Sequence, residues 1–198
     1  MTPAAEIARN KILVVEDNGV LNPFMVKHLA TFVREGGTVV SYMGDSVAKA
    51  LGANITSRPR SVVDGESVAW VDGGGAFKTH GTPSVAYDLR AAPSATPLLA
   101  SGSDVVAYEM SAGKGKLLQV GAVPYADLNS GRYGYLQDVA ARTRVIERAM
   151  AHSDVTPKIQ VLGDHDRVVA FGRRIPSGNK LWITAKSGRM EPTESAIR

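Results

Sequence analysis

Two short runs decide the fold: Lys11-Ile12-Leu13-Val14-Val15 and, one helix length later, Thr38-Val39-Val40-Ser41-Tyr42. The first is continuously apolar after one Lys, and the second reads as another buried strand. A continuous apolar run is the pattern of a strand covered on both faces, as in a parallel sheet. The interval between them carries its own helix signals. Asn22 is an N-cap residue and Pro23 follows at the first helical position, where a missing N–H costs nothing. Leu21 and Val26 stand at the hydrophobic-staple positions. Phe24, His28, Leu29 and Phe32 recur at helical spacing, with Met25 and Val33 widening the stripe, and Gly36-Gly37 ends it. Residues 11–42 therefore read as a strand–helix–strand unit with a right-handed crossover.

Outward from this unit, Asp45-Ser46 is positioned to cap a short helix from Val47 to Leu51, closed by Gly52. Residues 53–103 lose periodicity. Edge strands and long loops are expected there around Ser61-Val62-Val63, Val68 to Val71 and Val85 to Tyr87, with a turn at Gly73-Gly74-Gly75. Asp104 to Met110 and Lys116 to Val120, joined through Ser111 to Gly115, predict a hairpin with a five-residue loop. Leu136, Val139, Thr143, Ile146 and Met150 mark a second long helix, with Asp138 and Arg142 as an i,i+4 pair on its outer side. Beyond Asp154 to Pro157, the segments 158–162, 167–171 and 180–184 predict a three-stranded antiparallel meander. The expected architecture is α/β, a flavodoxin-like parallel sheet with flanking helices over 1–155 and a small antiparallel β appendage over 156–198. The expected core is Ile12, Leu13, Val14, Leu29, Phe32, Val39, Val40, Val106, Leu118, Val120, Val139 and Ile146.

Composition narrows the function classes. With 198 residues, 44% hydrophobic and 21% charged, the chain has the makings of a globular core. Zero cysteines exclude a disulfide scaffold, a thiolate zinc site and a thiol nucleophile. The net charge of +4 is scattered, with no basic run and no nucleic-acid motif, so no nucleic-acid partner is expected. No apolar run is long enough to span a membrane, and Met1 to Glu6 lacks a signal-peptide pattern, which favours a cytoplasmic location.

The candidate chemistry is sparse. Glu16 and Asp17 follow the first strand at the edge where α/β sheets collect ligands. Asp45 and Glu109 are the other acids near strand ends, and nothing in the spacing selects two of the four as a glycosidase pair. His28, His80, His152 and His165 show no metal-ligand spacing, and Asp164-His165-Asp166 reads as a strand-connecting turn. No nucleophile elbow surrounds Ser41 or Ser46. Gly113-Lys114-Gly115-Lys116 resembles half a phosphate loop but joins two strands, so a hairpin turn is the better reading. Catalytic, cofactor-binding and metal residues are each assigned as none.

Two resemblances follow from these residues. Lys11 to Asn18 looks like the opening of a response-regulator receiver domain, whose acidic pair binds magnesium for phosphotransfer. The later receiver features are missing: Asp72 has no Met-Pro turn after it, and Val120 to Pro124 holds no lysine. Phe32-Val33-Arg34-Glu35-Gly36-Gly37-Thr38-Val39-Val40 resembles the aromatic–valine–x–x–glycine–glycine–threonine segment of class I glutamine amidotransferase-like domains. It is closest to the version in the middle (trimerisation) domain of bacterial β-galactosidases. Leu51-Gly52-Ala53 and the hairpin Ala112 to Gly121 fit the same family. Val155-Thr156-Pro157 with the strands after it resembles the entry into the small C-terminal β domain, although Lys180 to Thr184 lacks that domain's asparagine. Without a cysteine, amidotransferase activity is excluded. The resemblance implies a non-catalytic scaffold or oligomerisation module of a carbohydrate-active enzyme, without the family's first strand and helix or its barrel. Its partners would be further copies of itself or a catalytic barrel, with carbohydrate as a candidate ligand. The competing expectations are a free-standing glycoside hydrolase using Glu16, Asp17 and Asp45 and, more remotely, a receiver-like domain.

Overall fold

The computed structural model describes residues 10–17, 19, 21–60, 65–78, 84–121, 135–155, 161–163, 168–174, 181–187 and 195–197. The two decisive runs become β1 (Ile12–Asp17) and β2 (Thr38–Met43), paired parallel with Leu13 opposite Val39 and Val14 opposite Val40. Between them runs α1 (Pro23–Arg34), with the Asn22 side chain accepting from the Phe24 amide at 2.8 Å. Its buried face is Leu29, Ala30, Phe32 and Val33. Phe24, expected in that stripe, is 55% exposed and meets His28 edge-on at 4.2 Å.

After β2 comes α2 (Ser46–Ala50), then an antiparallel region: β3 (Thr56–Arg60), β4 (Ser67–Trp70), β5 (Ala76–Lys78), β6 (Ser84–Asp88), β7 (Ala95–Ser101) and β8 (Asp104–Ala112). β9 (Gly115–Val120) returns beside β2, parallel to it. The nine-stranded sheet runs β1-β2-β9-β8-β7-β4-β5, with β3 on β6 and β6 on β8. β6 takes over the flank of β8 where β9 ends: Val85 N donates to the Gly121 carbonyl at 2.6 Å, and Gly121 N to Val106 at 2.7 Å. The α/β class is as expected, but the sheet is mixed, with more antiparallel pairing than the expected parallel sheet and single hairpin. Among the described residues parallel pairing is confined to β1, β2 and β9, and β9, β8, β7, β4 and β5 are antiparallel neighbours. The β8–β9 loop is two residues rather than five. Ala112 pairs with Gly115, and Gly113 takes φ 61°, the position at which a type II′ turn takes glycine.

α3 (Tyr135–His152) packs against β2, β9 and β5, on the sheet face opposite α1 and α2. One core joins Leu29, Phe32, Val33, Val39, Val47 and Leu117 under α1 and α2; the other joins Val40, Trp70, Leu99, Leu118, Val145 and Ala149 under α3. Val39, Val40, Leu29, Phe32, Val106, Leu118 and Val120 are buried as expected, and Ile146 is half-buried against the second core. The side chain of Val139 lies outside the described residues. Val14 is a correction: it is 55% exposed. Among the described residues β1 ends the sheet beyond β2, and its even-numbered residues face the α3 side, where α3 lies over β2 and β9.

In the C-terminal segment β10 (Val161–Gly163) pairs antiparallel with β13 (Ser195–Ile197), and β11 (Val168–Arg174) with β12 (Leu181–Ser187). Among the described residues the expected three-stranded meander is replaced by these two antiparallel pairs. The predicted strand Ser61-Val62-Val63, His80, the 164–166 turn and the side chains of Asp138 and Arg142 lie outside the described residues.

Candidate functional site

The C-terminal ends of β1 and β2 bring together the acids singled out in the sequence. Asp17 is 1% exposed. Its Oδ2 accepts from the Ser46 amide at 2.7 Å and its Oδ1 from the Ser46 hydroxyl at 2.9 Å. The cap of α2 thus comes from the neighbouring strand, whereas Asp45, the residue expected to cap, makes no cap bond. Asp45 instead accepts from the Ser57 amide at 3.2 Å and the Ser57 hydroxyl at 2.7 Å, and meets Lys49 at 2.9 Å. Burial pushes the Asp45 carboxyl up, but the Ser57 hydrogen bonds and the Lys49 charge outweigh it and hold it below the usual aspartate value. Glu16 is half-buried on β1.

The turn joining β2 to α2 is held from beneath. Met43 adopts φ 77°, costly for a residue with a side chain. The Tyr87 hydroxyl donates to the Met43 carbonyl at 2.9 Å and fixes that turn. A Cβ on Gly44 would stand 2.2 Å from the Asp17 carbonyl oxygen, so only glycine lets the turn close on the Asp17 backbone. Tyr108 meets Tyr87 edge-on at 5.0 Å, and burial pushes both phenols well above the ordinary tyrosine range. Beside them, Gln119 Nε2 donates to the Ser41 carbonyl at 3.0 Å. Glu16, Asp17 and Asp45 thus lie at one sheet edge, but Asp17 and Asp45 are committed to serine donors that hold α2 and β3 in place.

Glu109 is elsewhere, on β8. It takes a bidentate pair from Arg148, Nε at 2.8 Å and Nη2 at 2.9 Å, and a contact from His152 Nε2 at 2.9 Å. The Arg148 hydrogen bonds, against the opposing effect of burial and with help from His152, bring its carboxyl down to about 2. This clasp fastens α3 to the sheet. Sequence reasoning missed its partners, as it missed Tyr87 and Gly44, because no local spacing links residues that meet only through the fold. The one available signal was the helical i,i+4 spacing of Arg148 and His152. A groove of about 420 Å³ lies between α1 and α2, lined by Leu21, Pro23, Val26 and Ala30 and edged by Lys27, Arg34 and Lys49. Arg34 Nη2 spans it to the Ala50 carbonyl at 2.7 Å. Among the described residues no three His, Asp or Glu side chains form a metal-ligand cluster, and no helix is long and apolar enough to cross a membrane.

No family model and no curated protein sequence matches the chain. Solved structures do. The β-galactosidase from Bacillus circulans sp. alkalophilus aligns with a TM-score of 0.61 at 14% identity, over 93% of this chain and 28% of that one. Gan42B, a GH42 β-galactosidase from G. stearothermophilus, aligns at 0.59 and 16% identity, over 86% of this chain and 25% of that one. The mmIFT52 N-terminal domain aligns at 0.51 and 12% identity, over 80% and 83%. The chain spans about a quarter of the length of the β-galactosidases it matches. At these identities the likeness shows a shared fold, the α/β layer that those β-galactosidases carry as one part of a longer chain.

Proposed function

We propose that the chain is a non-catalytic scaffold and subunit-contact module related to the amidotransferase-like middle domain of β-galactosidases. In this reading 1–155 is the α/β domain and 156–198 a small β unit like the one that follows it in those enzymes. Its work is to present surfaces to other subunits and to shape a neighbouring catalytic site that handles carbohydrate. The observation that carries the proposal is the occupation of the acids. Asp17 and Asp45 accept from backbone and hydroxyl donors that assemble the fold, and Glu109 is clasped by Arg148. The fold likeness to one part of GH42 β-galactosidase chains supports the same reading.

A free-standing glycosidase needs one carboxylic acid kept protonated near neutral pH. Asp45 and Glu109 are displaced in the opposite direction. A receiver-like domain needs its acids open to magnesium, and Asp17 is buried on Ser46. Light scattering over a range of concentrations tests the proposal. The expected mass is a multiple of the 21.0 kDa chain or of a complex containing it. A strict monomer that binds no second protein overturns it.

A further inference from the structure

We infer that β1 is a self-association edge: a second copy of the chain adds to it antiparallel about Val14, joining two sheets across a two-fold axis. The inference rests on the reading of the chain as a subunit-contact module and gives that contact a place.

Among the described residues β1 pairs with β2 alone. The Thr38 amide donates to the Lys11 carbonyl at 2.9 Å, and the parallel register continues from there. This fixes the phase of the strand. Leu13, Val15 and Asp17 turn their backbone groups toward β2, and Ile12, Val14 and Glu16 turn theirs outward. Edges exposed in this way are ordinarily guarded by lysine, proline, a bulge or short length. Among the described residues Ile12 to Val15 has none of these guards, and Val14, at the middle of the edge, is 55% exposed.

The outward groups are self-complementary. With two copies antiparallel about Val14, Val14 faces its own counterpart and Ile12 faces Glu16. Each pair is of the hydrogen-bonded kind, so every outward N–H and C=O of the three residues finds a partner. Charge favours the same direction. The strand is basic at its start, Lys11, and acidic at its end, Glu16-Asp17. Antiparallel pairing sets each basic end beside the other copy's acidic end, whereas parallel pairing would align like charges. A patch that matches itself under a two-fold axis makes a closed, isologous dimer.

The chain has no cysteine, which makes the test clean. Paired Val14 Cα atoms would stand about 5.5 Å apart, within disulfide reach. Under mild oxidation Val14→Cys should run on a non-reducing gel at twice the 21.0 kDa chain mass, while Val71→Cys, equally exposed in the native protein, should not. Val14→Pro removes an outward N–H and leaves the β1–β2 ladder intact. It should keep the wild-type circular dichroism and halve the mass seen by light scattering. If Val14→Cys stays reduced while the wild type still self-associates, the β1 edge is wrong and the subunit-contact reading stands. Equal cross-linking of both cysteine variants also overturns the edge. A wild-type chain that is monomeric at every concentration and binds no partner removes both.

Discussion

The parallel and antiparallel parts of the sheet hold their charged groups by different means. At the β1–β2 end, Asp17 and Asp45 are buried, and serine amides and hydroxyls satisfy them, with Lys49 added on Asp45. In the antiparallel part, Arg58 and Arg60 pair with Asp104, Arg60 with Glu66, and Arg90 with Asp88, with Arg58 and Arg90 largely in solvent. Deleting a buried acceptor strands a donor that water cannot reach, whereas an exposed ion pair exchanges one partner for water at little cost. The buried acids of the β1–β2 end are therefore structurally required, whereas the solvent-exposed pairs of Arg58 and Arg90 tolerate change.

Four substitutions break or sharpen that contrast, each read as a shift in urea unfolding. Gly115→Ala should have the largest effect, a loss of about 3 kcal/mol. A Cβ there would lie 2.2 Å from the carbonyl oxygens of both Gly37 and Val33, and neither backbone can move aside cheaply. Asp17→Ala should cost about 2–3 kcal/mol by stranding the Ser46 amide at the start of α2. Glu109→Gln should cost about 1–2 kcal/mol once solvent screening around the one-third exposed Arg148 is counted. Because the Glu109 carboxyl is depressed from 4.5 to about 2, its contribution is complete above pH 4.5 and is lost as the pH falls toward 2. The variant should lose that segment of the acid-stability profile. Arg58→Ala, with its side chain 62% exposed, should change stability by no more than about 0.5 kcal/mol.

The contrast also explains what could be read from the sequence. α1 was legible because its signals are local: the Asn22–Pro23 start and an apolar stripe closed by glycines. β2, β8 and β9 were legible as runs bounded by glycine. β3 was not, because Thr56-Ser57-Arg58-Pro59-Arg60 has no apolar residue besides Pro59 and owes its place to pairing with β6. β7 was not, because Pro97 breaks the pattern, and the strand tolerates it only at an irregularity, where the register to β8 shifts. Val14 was misread because a continuous apolar run does not say whether a neighbour lies on one side of the strand or both. At the site, Asp17 and Asp45 were visible as acids near strand ends. Their occupation was not, since Ser46 lies 29 residues from Asp17, and Tyr87 lies 44 residues from the Met43 turn it secures.

The most direct measurement follows stability and turnover together in Asp45→Asn. Its bonds to Ser57 and Lys49 give Asp45 a structural part, so the variant should unfold about 1–2 kcal/mol more easily. Neither it nor the wild type should release chromophore from β-galactoside, glucoside or mannoside substrates. Hydrolysis by the wild type that disappears in Asp45→Asn while the urea midpoint stays where it was would contradict the account.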